Sequence, residues 1–90
     1  MSAPTDLIKK VEGLASPASN ELDVLIEVAL FEPDATHKSC RANSAGTKVI
    51  YTRHAGGQDT HWAPDWTGRN IRSVTLALLR SLEARDKGDG

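Results

Sequence analysis

Four residues in the middle of the chain have side chains that bind transition metals. They are His37, Cys40, His54 and His61. Imidazole and thiolate groups suit a tetrahedral zinc site, but structural zinc sites usually contain at least two thiolates. This chain has one cysteine, and the spacing matches no zinc motif. The favoured interpretation is three solvent-facing histidines and a small apolar cysteine, so no cofactor is predicted.

A carboxylate in the same region could orient an imidazole as a general base. Asp59 lies close in sequence to His54 and His61, which gives the residue types for such a pair. An Asp beside a His on an exposed hairpin more often forms a surface hydrogen bond. The chain has no Gly-x-Ser-x-Gly motif and no glycine-rich phosphate loop. The sequence therefore predicts a protein that is not an enzyme, with a metal-assisted enzyme as the weakest alternative.

Two helices are predicted in the first third of the chain. Apolar residues recur at helical spacing after the N-cap Thr5, which predicts the first helix. The second helix is predicted to run from Pro17 to about Phe31, with Ser16 as its N-cap. This second helix is apolar on two sides, so we expect it to be packed between other elements.

Strands are predicted in the middle of the chain. Residues 47–53 and 58–63 favour β-structure, and Gly56-Gly57 between them is typical of a hairpin. An additional short strand is predicted around 39–42.

The register of this hairpin depends on its turn. A two-residue turn at the glycines would place Tyr51 opposite Trp62 and on the same face as Val49. The residues then expected on the opposite face are Thr52, His54, Asp59 and His61.

A last helix is predicted after Pro64, capped by Thr67 or Asn70. Its predicted buried stripe consists of Ile71, Val74, Leu78 and Leu82, widened by Leu79. The order α-α-β-β-α, with one extra strand, predicts an α+β domain whose helices pack on a two- to three-stranded antiparallel sheet. We expect one domain over 5–85, with disordered ends at 1–4 and 86–90.

Composition is typical of a globular protein, with 39% hydrophobic and 26% charged residues in a chain of 90. A single cysteine excludes an internal disulfide, and neither a signal peptide nor an apolar stretch of about 18 residues is visible. We therefore expect a soluble cytoplasmic protein without a membrane association.

Charged residues are segregated along the chain, although the net charge is only -1. Segment 11–37 contains six acids and no Lys or Arg, whereas segment 38–85 contains eight bases and three acids. Such a separation of opposite charges gives information about association with partners rather than about the fold. The predicted partner-binding acids are Glu21, Asp23, Glu27, Glu32 and Asp34. Asp23 and Glu27, four residues apart on one helix, are expected to lie in water.

The bases do not predict a dedicated DNA-binding protein. Arg69, Arg72 and Arg80 do not fall on one line of the last helix, and DNA-binding domains are usually strongly basic.

Trp62 and Trp66 are two of only four aromatic residues. Trp62 is expected in the core, and Trp66, in a turn, is the better candidate for a partner contact because Trp is enriched at binding hot spots.

Parts of the chain resemble a known family. Residues 6–14, the Ser16-Pro17 break and residues 21–26 are similar to the opening of the phage ABA sandwich family, and residues 63–67 and 75–85 to later segments. After Trp66-Thr67 the family usually has Ser-x-Asp-Ala-Ala, whereas this chain has Gly-Arg-Asn-Ile-Arg. The resemblance, mainly over 5–31, implies a phage or prophage origin and helices around a small sheet. It implies no activity and no site residues.

These features predict a non-enzymatic, phage-derived binding protein. We expect stoichiometric contact with a host or phage protein or nucleoprotein complex, through the acidic face of the second helix. Inhibition of a host defence complex, of the anti-CRISPR kind, is the specific hypothesis, because an acidic surface can occupy a basic groove that normally holds nucleic acid. The alternative is a structural or accessory phage protein that self-associates as a homodimer. Its expected interface is formed by Val24, Val28 and Phe31 or by Ser73, Ala77 and Ser81.

Overall fold

Two short helices open the fold. The structure is a computed structural model that describes residues 3–14 and 18–88. Helix α1 covers Ala3–Glu12 and helix α2 covers Asn20–Leu30. Both are amphipathic, as their apolar spacing predicts.

The start of α2 differs from the prediction. Ser19 is the N-cap, because its hydroxyl accepts a hydrogen bond from the Leu22 N–H at 3.2 Å, and the helix begins at Asn20. Ser16 and Pro17, the predicted cap and first helical residue, lie outside the described residues.

The two predicted disordered ends are helical where the structure describes them. Helix α1 begins at Ala3, so Thr5 lies within the helix instead of capping it, and its hydroxyl contacts Glu83. At the other end, residues 86–88 belong to the last helix. Residues 1–2 and 89–90 lie outside the described residues.

The central core is formed by helices. Its buried members are Leu7, Ile8, Val11, Leu22, Ile26 and Leu79. Val24 and Val49 are also buried but lie outside this cluster, where α2 faces the sheet. Helix α2 contacts both other helices and the first two strands. Its packing between other elements is therefore confirmed.

The last helix, α3, covers Arg72–Gly88. The predicted burial of Leu79 is confirmed, whereas that of Val74 and Leu78 was wrong. Thr75 and Leu79 are fully buried, whereas Val74 and Leu78 are 53% and 41% exposed. The buried side is thus shifted by one residue, about 100° around the helix. The Thr75 hydroxyl donates a hydrogen bond to the Trp66 carbonyl at 2.6 Å, which holds this orientation.

A three-stranded antiparallel sheet completes the domain. Its strands are β1 (His37–Ala42), β2 (Val49–Arg53) and β3 (Gln58–His61), in the spatial order β1-β2-β3. The element order is therefore α-α-β-β-β-α, and the predicted α+β class is confirmed. In the described part of the chain, α2 is the helix that packs on the sheet, while α1 and α3 pack on each other and on α2.

The predicted hairpin exists, but its register was wrong. Tyr51 lies opposite Asp59 rather than Trp62, because residues 54–57 form a longer loop in which the Arg53 N–H donates to the Gly57 carbonyl at 3.0 Å. The register differs by three residues. Since side chains alternate between faces, an odd shift moves every residue of β3 to the other face.

The sheet consequently has two chemically different faces. The inner face, towards α2, is formed by His37, Cys40, Ala42, Val49, Tyr51, Arg53, Asp59 and His61. The outer face is formed by Ser39, Arg41, Ile50, Thr52, Gln58 and Thr60. Trp62 follows β3 and is 65% exposed, so the expectation that it fills the core was wrong.

Candidate functional site

One turn, at residues 66–67, is held to α2 by a buried carboxylate. Asp23 Oδ1 accepts hydrogen bonds from the Thr67 N–H at 2.8 Å and from the Thr67 hydroxyl at 2.7 Å. The same hydroxyl accepts from the Ser19 N–H at 2.7 Å. Asp23 is only 6% exposed, so its expected position in water was wrong. Its role in the described structure is to fix the turn that carries Trp66.

A second carboxylate of α2 joins the sheet to the same turn. Glu27 Oε2 accepts from the Tyr51 hydroxyl at 2.5 Å, and Glu27 Oε1 accepts from the Trp66 indole N–H at 2.9 Å. Both donors are neutral groups, so these bonds do not cancel the charge of Glu27. The side chain is half-buried rather than in open water.

A groove of about 710 Å³ opens between the end of α2, the inner face of the sheet and α3. We call it the groove. Its aromatic and apolar lining is Leu30, Phe31, Tyr51, Trp66 and Leu78. Its polar lining is Glu27, Glu32, Asp34, His37, His61, Ser81 and Arg85. The groove carries three of the chain's four Phe, Tyr and Trp residues.

Tyr51 stands at the centre of the groove's rings. Its ring centroid lies 5.8 Å from that of Phe31, 5.2 Å from that of His37 and 6.0 Å from that of His61, all in tilted arrangements. Such geometries favour aromatic pairs. Burial raises the pKa of the Tyr51 hydroxyl, and its hydrogen bond to Glu27 raises it further, so the phenol remains a hydrogen-bond donor at neutral pH.

The groove carries more negative than positive charge. Glu27, Glu32 and Asp34 are acidic, while Arg85 contributes a fixed positive charge at the rim. The guanidinium of Arg85 lies 3.5 Å from Glu32, and both side chains are mostly exposed, so this ion pair is weak. Asp34 accepts the backbone N–H groups of His37 and Thr36, and these bonds lower the pKa of its carboxyl group.

Asp59, which was considered as a partner for His54 or His61, contacts a third histidine instead. Asp59 contacts His37 Nε2 at 2.8 Å and also accepts two hydrogen bonds from Arg53. The Arg53 bonds, and then His37, lower the pKa of Asp59 to about 2. His54 instead contacts the Asp34 carbonyl oxygen. The altered register brings Asp59 to the inner face, where β1 supplies His37.

In the described residues the potential metal ligands do not gather in one cluster, and the pKa of the Cys40 thiol is raised. Within residues 3–14 and 18–88, no three His, Cys, Asp or Glu side chains come close enough to share an ion. Cys40 lies on the inner face, where burial, and secondarily Glu27, raise the pKa of its thiol to about 11. A protonated thiol is a poor nucleophile.

The six predicted partner-binding residues separate into two groups. Glu27, Glu32, Asp34 and Trp66 line the groove. Glu21 is exposed but lies outside the groove, and Asp23 is buried in its bonds to Thr67. Tyr51 and Arg85 line the groove but were not predicted as contact residues, and Phe31 was predicted only for self-association. The single tyrosine in a β-forming segment was the available signal for Tyr51.

Folding partly mixes the charges that are segregated along the chain. Glu12 of α1 pairs with Arg80 of α3, in addition to the pair between Glu32 and Arg85. The predicted acidic surface is therefore not a continuous face of α2. Its acids Glu27, Glu32 and Asp34 are gathered in the groove, which has a local excess of negative charge.

The chain matches no family model, and comparisons with curated proteins and with solved structures found no match either. The resemblance to the phage ABA sandwich family thus stays a prediction. None of the described helices combines the length and the apolar character that crossing a membrane requires.

Proposed function

We propose that this protein is a non-enzymatic binding protein whose groove receives a positively charged segment of a partner protein. The observation that carries the proposal is the combination of three carboxylates with the rings of Phe31 and Tyr51 in one open cleft. Cations are attracted both by carboxylates and by the faces of aromatic rings. Arginine and lysine side chains of a partner satisfy both requirements.

Rigid support of the groove favours binding without a large rearrangement. Glu27 accepts hydrogen bonds from Tyr51 and Trp66 through its two carboxylate oxygens, and Asp23 fixes the turn next to Trp66. Side chains that are already ordered lose less conformational entropy when a partner arrives. The carboxylates at the rim, Glu32 and Asp34, are exposed and can steer a basic partner towards the cleft.

The direct test uses a fluorescent lysine- and arginine-rich peptide and measures its binding by anisotropy at low salt. Glu32→Lys should weaken binding about 10-fold or more, because it converts an attraction at the groove rim into a repulsion. Glu21→Lys is the matched control, since it makes the same charge change outside the groove. Equal effects of both variants, or no binding of the peptide, would refute the proposal.

We also propose the class of partner, a host complex that handles nucleic acid and whose basic surface the protein occludes. The support is the acidic groove together with the resemblance to a phage family. Affinity capture from host lysate with mass spectrometry tests this step. The captured complex should lose nucleic-acid binding when the wild-type protein is present and regain it with Glu32→Lys. A complex that retains its nucleic acid in both cases contradicts inhibition by occlusion.

Self-association is a second candidate, and one surface of α3 favours it. Val74 and Leu78 are exposed next to the small residues Ser73, Ala77 and Ser81, which are also exposed. Val24, from the other predicted interface, is 1% exposed and therefore inaccessible to a second copy. Sedimentation at micromolar concentration measures the oligomeric state, and Val74→Asp should dissociate a dimer formed through α3.

A further inference from the structure

The outer face of the sheet is open and contains no acidic residue. Three rows of side chains cross it, and each row takes one residue from every strand or its flank. The first row is Ser39, Thr52 and Gln58, and the second is Arg41, Ile50 and Thr60. The third row lies at the end of the strands and consists of Asn43, Lys48 and Trp62. In the described part of the chain, no helix packs on this face.

Trp62 forms an accessible platform at one end of this face. Its side chain is 65% exposed, although the chain has few aromatic residues with which to fill its core. The Lys48 ammonium lies 4.7 Å from the centroid of the Trp62 ring, so a cation–π contact steadies the ring. The exposed part of the ring is therefore available to a ligand that stacks on aromatic side chains.

The charge of the outer face is opposite to that of the groove. Arg41 is exposed on the edge strand, and Lys48 adds a second basic side chain next to Trp62. The remaining strand residues are neutral, and Thr52, Gln58 and Thr60 offer hydrogen-bonding groups. Proteins bind single strands of nucleic acid with basic side chains, exposed aromatic rings and neutral polar side chains on a sheet. The outer face has all three.

We infer that the outer face binds single-stranded nucleic acid, with a base stacked on Trp62 and phosphates near Arg41 and Lys48. A single strand is required because its bases can leave the stack and meet the indole ring, whereas those of a duplex are covered. This inference does not depend on the groove, since it concerns other residues on the opposite side of the sheet.

The strength of binding follows from the small number of charges. Two phosphate contacts give a slope of about -1.4 for the logarithm of the binding constant against the logarithm of salt concentration. Binding should therefore be weak and best measured at about 50 mM salt or below. Lys48→Gln should reduce the magnitude of this slope by about 0.7.

The experiment is an anisotropy titration with fluorescent oligouridylate and oligothymidylate, with a duplex of mixed sequence as a comparison. Trp62→Ala should weaken binding of the single strands about 5- to 150-fold, the range expected for the loss of one stacked base. Arg41→Glu should also weaken it. Lys9→Glu is the matched control, because Lys9 is exposed on α1, which does not contact the sheet. Circular dichroism of each variant verifies folding.

Equal affinity for the duplex, or an unchanged affinity of Trp62→Ala for the single strands, overturns the inference. Preference for the uridylate or the thymidylate would identify RNA or DNA as the source of the strand, and either result supports it. Absence of binding at low salt overturns it, as does a loss of affinity in Lys9→Glu equal to that in Arg41→Glu. Polyglutamate is a polyanion without nucleobases. Equal affinity for this peptide also overturns the inference, because attraction between opposite charges would then explain the binding without stacking. A dimer closed through the outer face, detected by sedimentation and abolished by Trp62→Ala, overturns it as well.

Discussion

The two faces of one small sheet carry opposite chemistry. On the inner face, Tyr51 shares a carboxylate of α2 with Trp66, and the adjoining groove is acidic. On the outer face, Arg41 and Lys48 accompany an exposed Trp62, and no carboxylate is present among the strand residues. The alternation of side chains distributes the residues of β2 and β3 between the two sides. The acids of the groove come from α2 and from the segment that follows it.

The comparison also explains why charge along the chain is a poor guide to charge on the surface. Asp23, one of the acids predicted to contact a partner, is instead buried and accepts hydrogen bonds from Thr67. Two bases from the middle of the chain, in contrast, lie on the same open face as Trp62. Folding therefore mixes part of the charge that is segregated in sequence, through pairs such as Glu12 with Arg80. An acidic excess remains in the groove, and Arg41 and Lys48 remain on the outer face.

The largest effect on stability should come from the contact between α2 and the turn at residues 66–67. Asp23→Ala leaves the buried N–H of Thr67 without its acceptor, while the Thr67 hydroxyl keeps only the Ser19 carbonyl at 3.2 Å. We expect the free energy of unfolding to fall by about 3 kcal/mol. Chemical denaturation monitored by tryptophan fluorescence measures this change. Glu21→Ala, on the same helix but exposed, should alter it by less than about 0.5 kcal/mol. Similar values for the two variants would mean that the Asp23 contacts do not stabilise the fold.

Removal of the shared carboxylate should have the next largest effect. Glu27→Ala deprives Tyr51 and Trp66 of their acceptor, which should cost about 2 kcal/mol of unfolding free energy. It should also lower the pKa of Tyr51 from its raised value, although burial, the main cause, will keep it above that of free tyrosine. Ultraviolet absorbance detects this directly, since the chain has one tyrosine. An unchanged tyrosine titration would show that the bond to Glu27 contributes nothing.

Acid should weaken the inner face through Asp59 and Asp34. Both carboxyl groups have a folded-state pKa below the unfolded value of about 3.9, so their stabilisation is complete above that pH. It should disappear as the pH falls from about 4 through about 2, the folded-state pKa of Asp59. Asp59→Asn should flatten this part of the stability profile. The prediction fails if wild type and variant lose stability in parallel over that range.

The smallest effect on stability should come from the outer face. Trp62 is 65% exposed, so Trp62→Ala should change the unfolding free energy by no more than about 0.5 kcal/mol. Denaturation of the variant provides the measurement, with Trp66 as the remaining fluorophore. A loss above about 2 kcal/mol would place Trp62 in the stabilising core and would remove it as a binding platform.

Much of the fold could be predicted from local patterns. Helical spacing located α1, α2 and α3, and the glycine pair located the hairpin, because these signals arise within short segments. The turn length could not be predicted. Gly56 and Gly57 both have positive φ, at 98° and 88°, which suits a two-residue turn as well as the observed longer loop. The face on which Trp62 lies depends on that choice.

The site could be predicted only in part. Four of the proposed contact residues line the groove, because acids at the end of a helix and a tryptophan in a turn are visible in the sequence. The burial of Asp23 was not predictable from helical spacing. Its partner Thr67 is 44 residues away in sequence, and only the tertiary fold brings the two together.

The two tryptophan side chains offer one measurement on both faces at once. Trp66 reports on the groove through its indole N–H bonded to Glu27, and Trp62 reports on the outer face. In a proton–nitrogen correlation spectrum, a lysine- and arginine-rich peptide should shift the indole signal of Trp66, and oligouridylate should shift that of Trp62. If both ligands shift the same indole signal, or if neither signal moves at low salt, the two faces do not bind opposite charges.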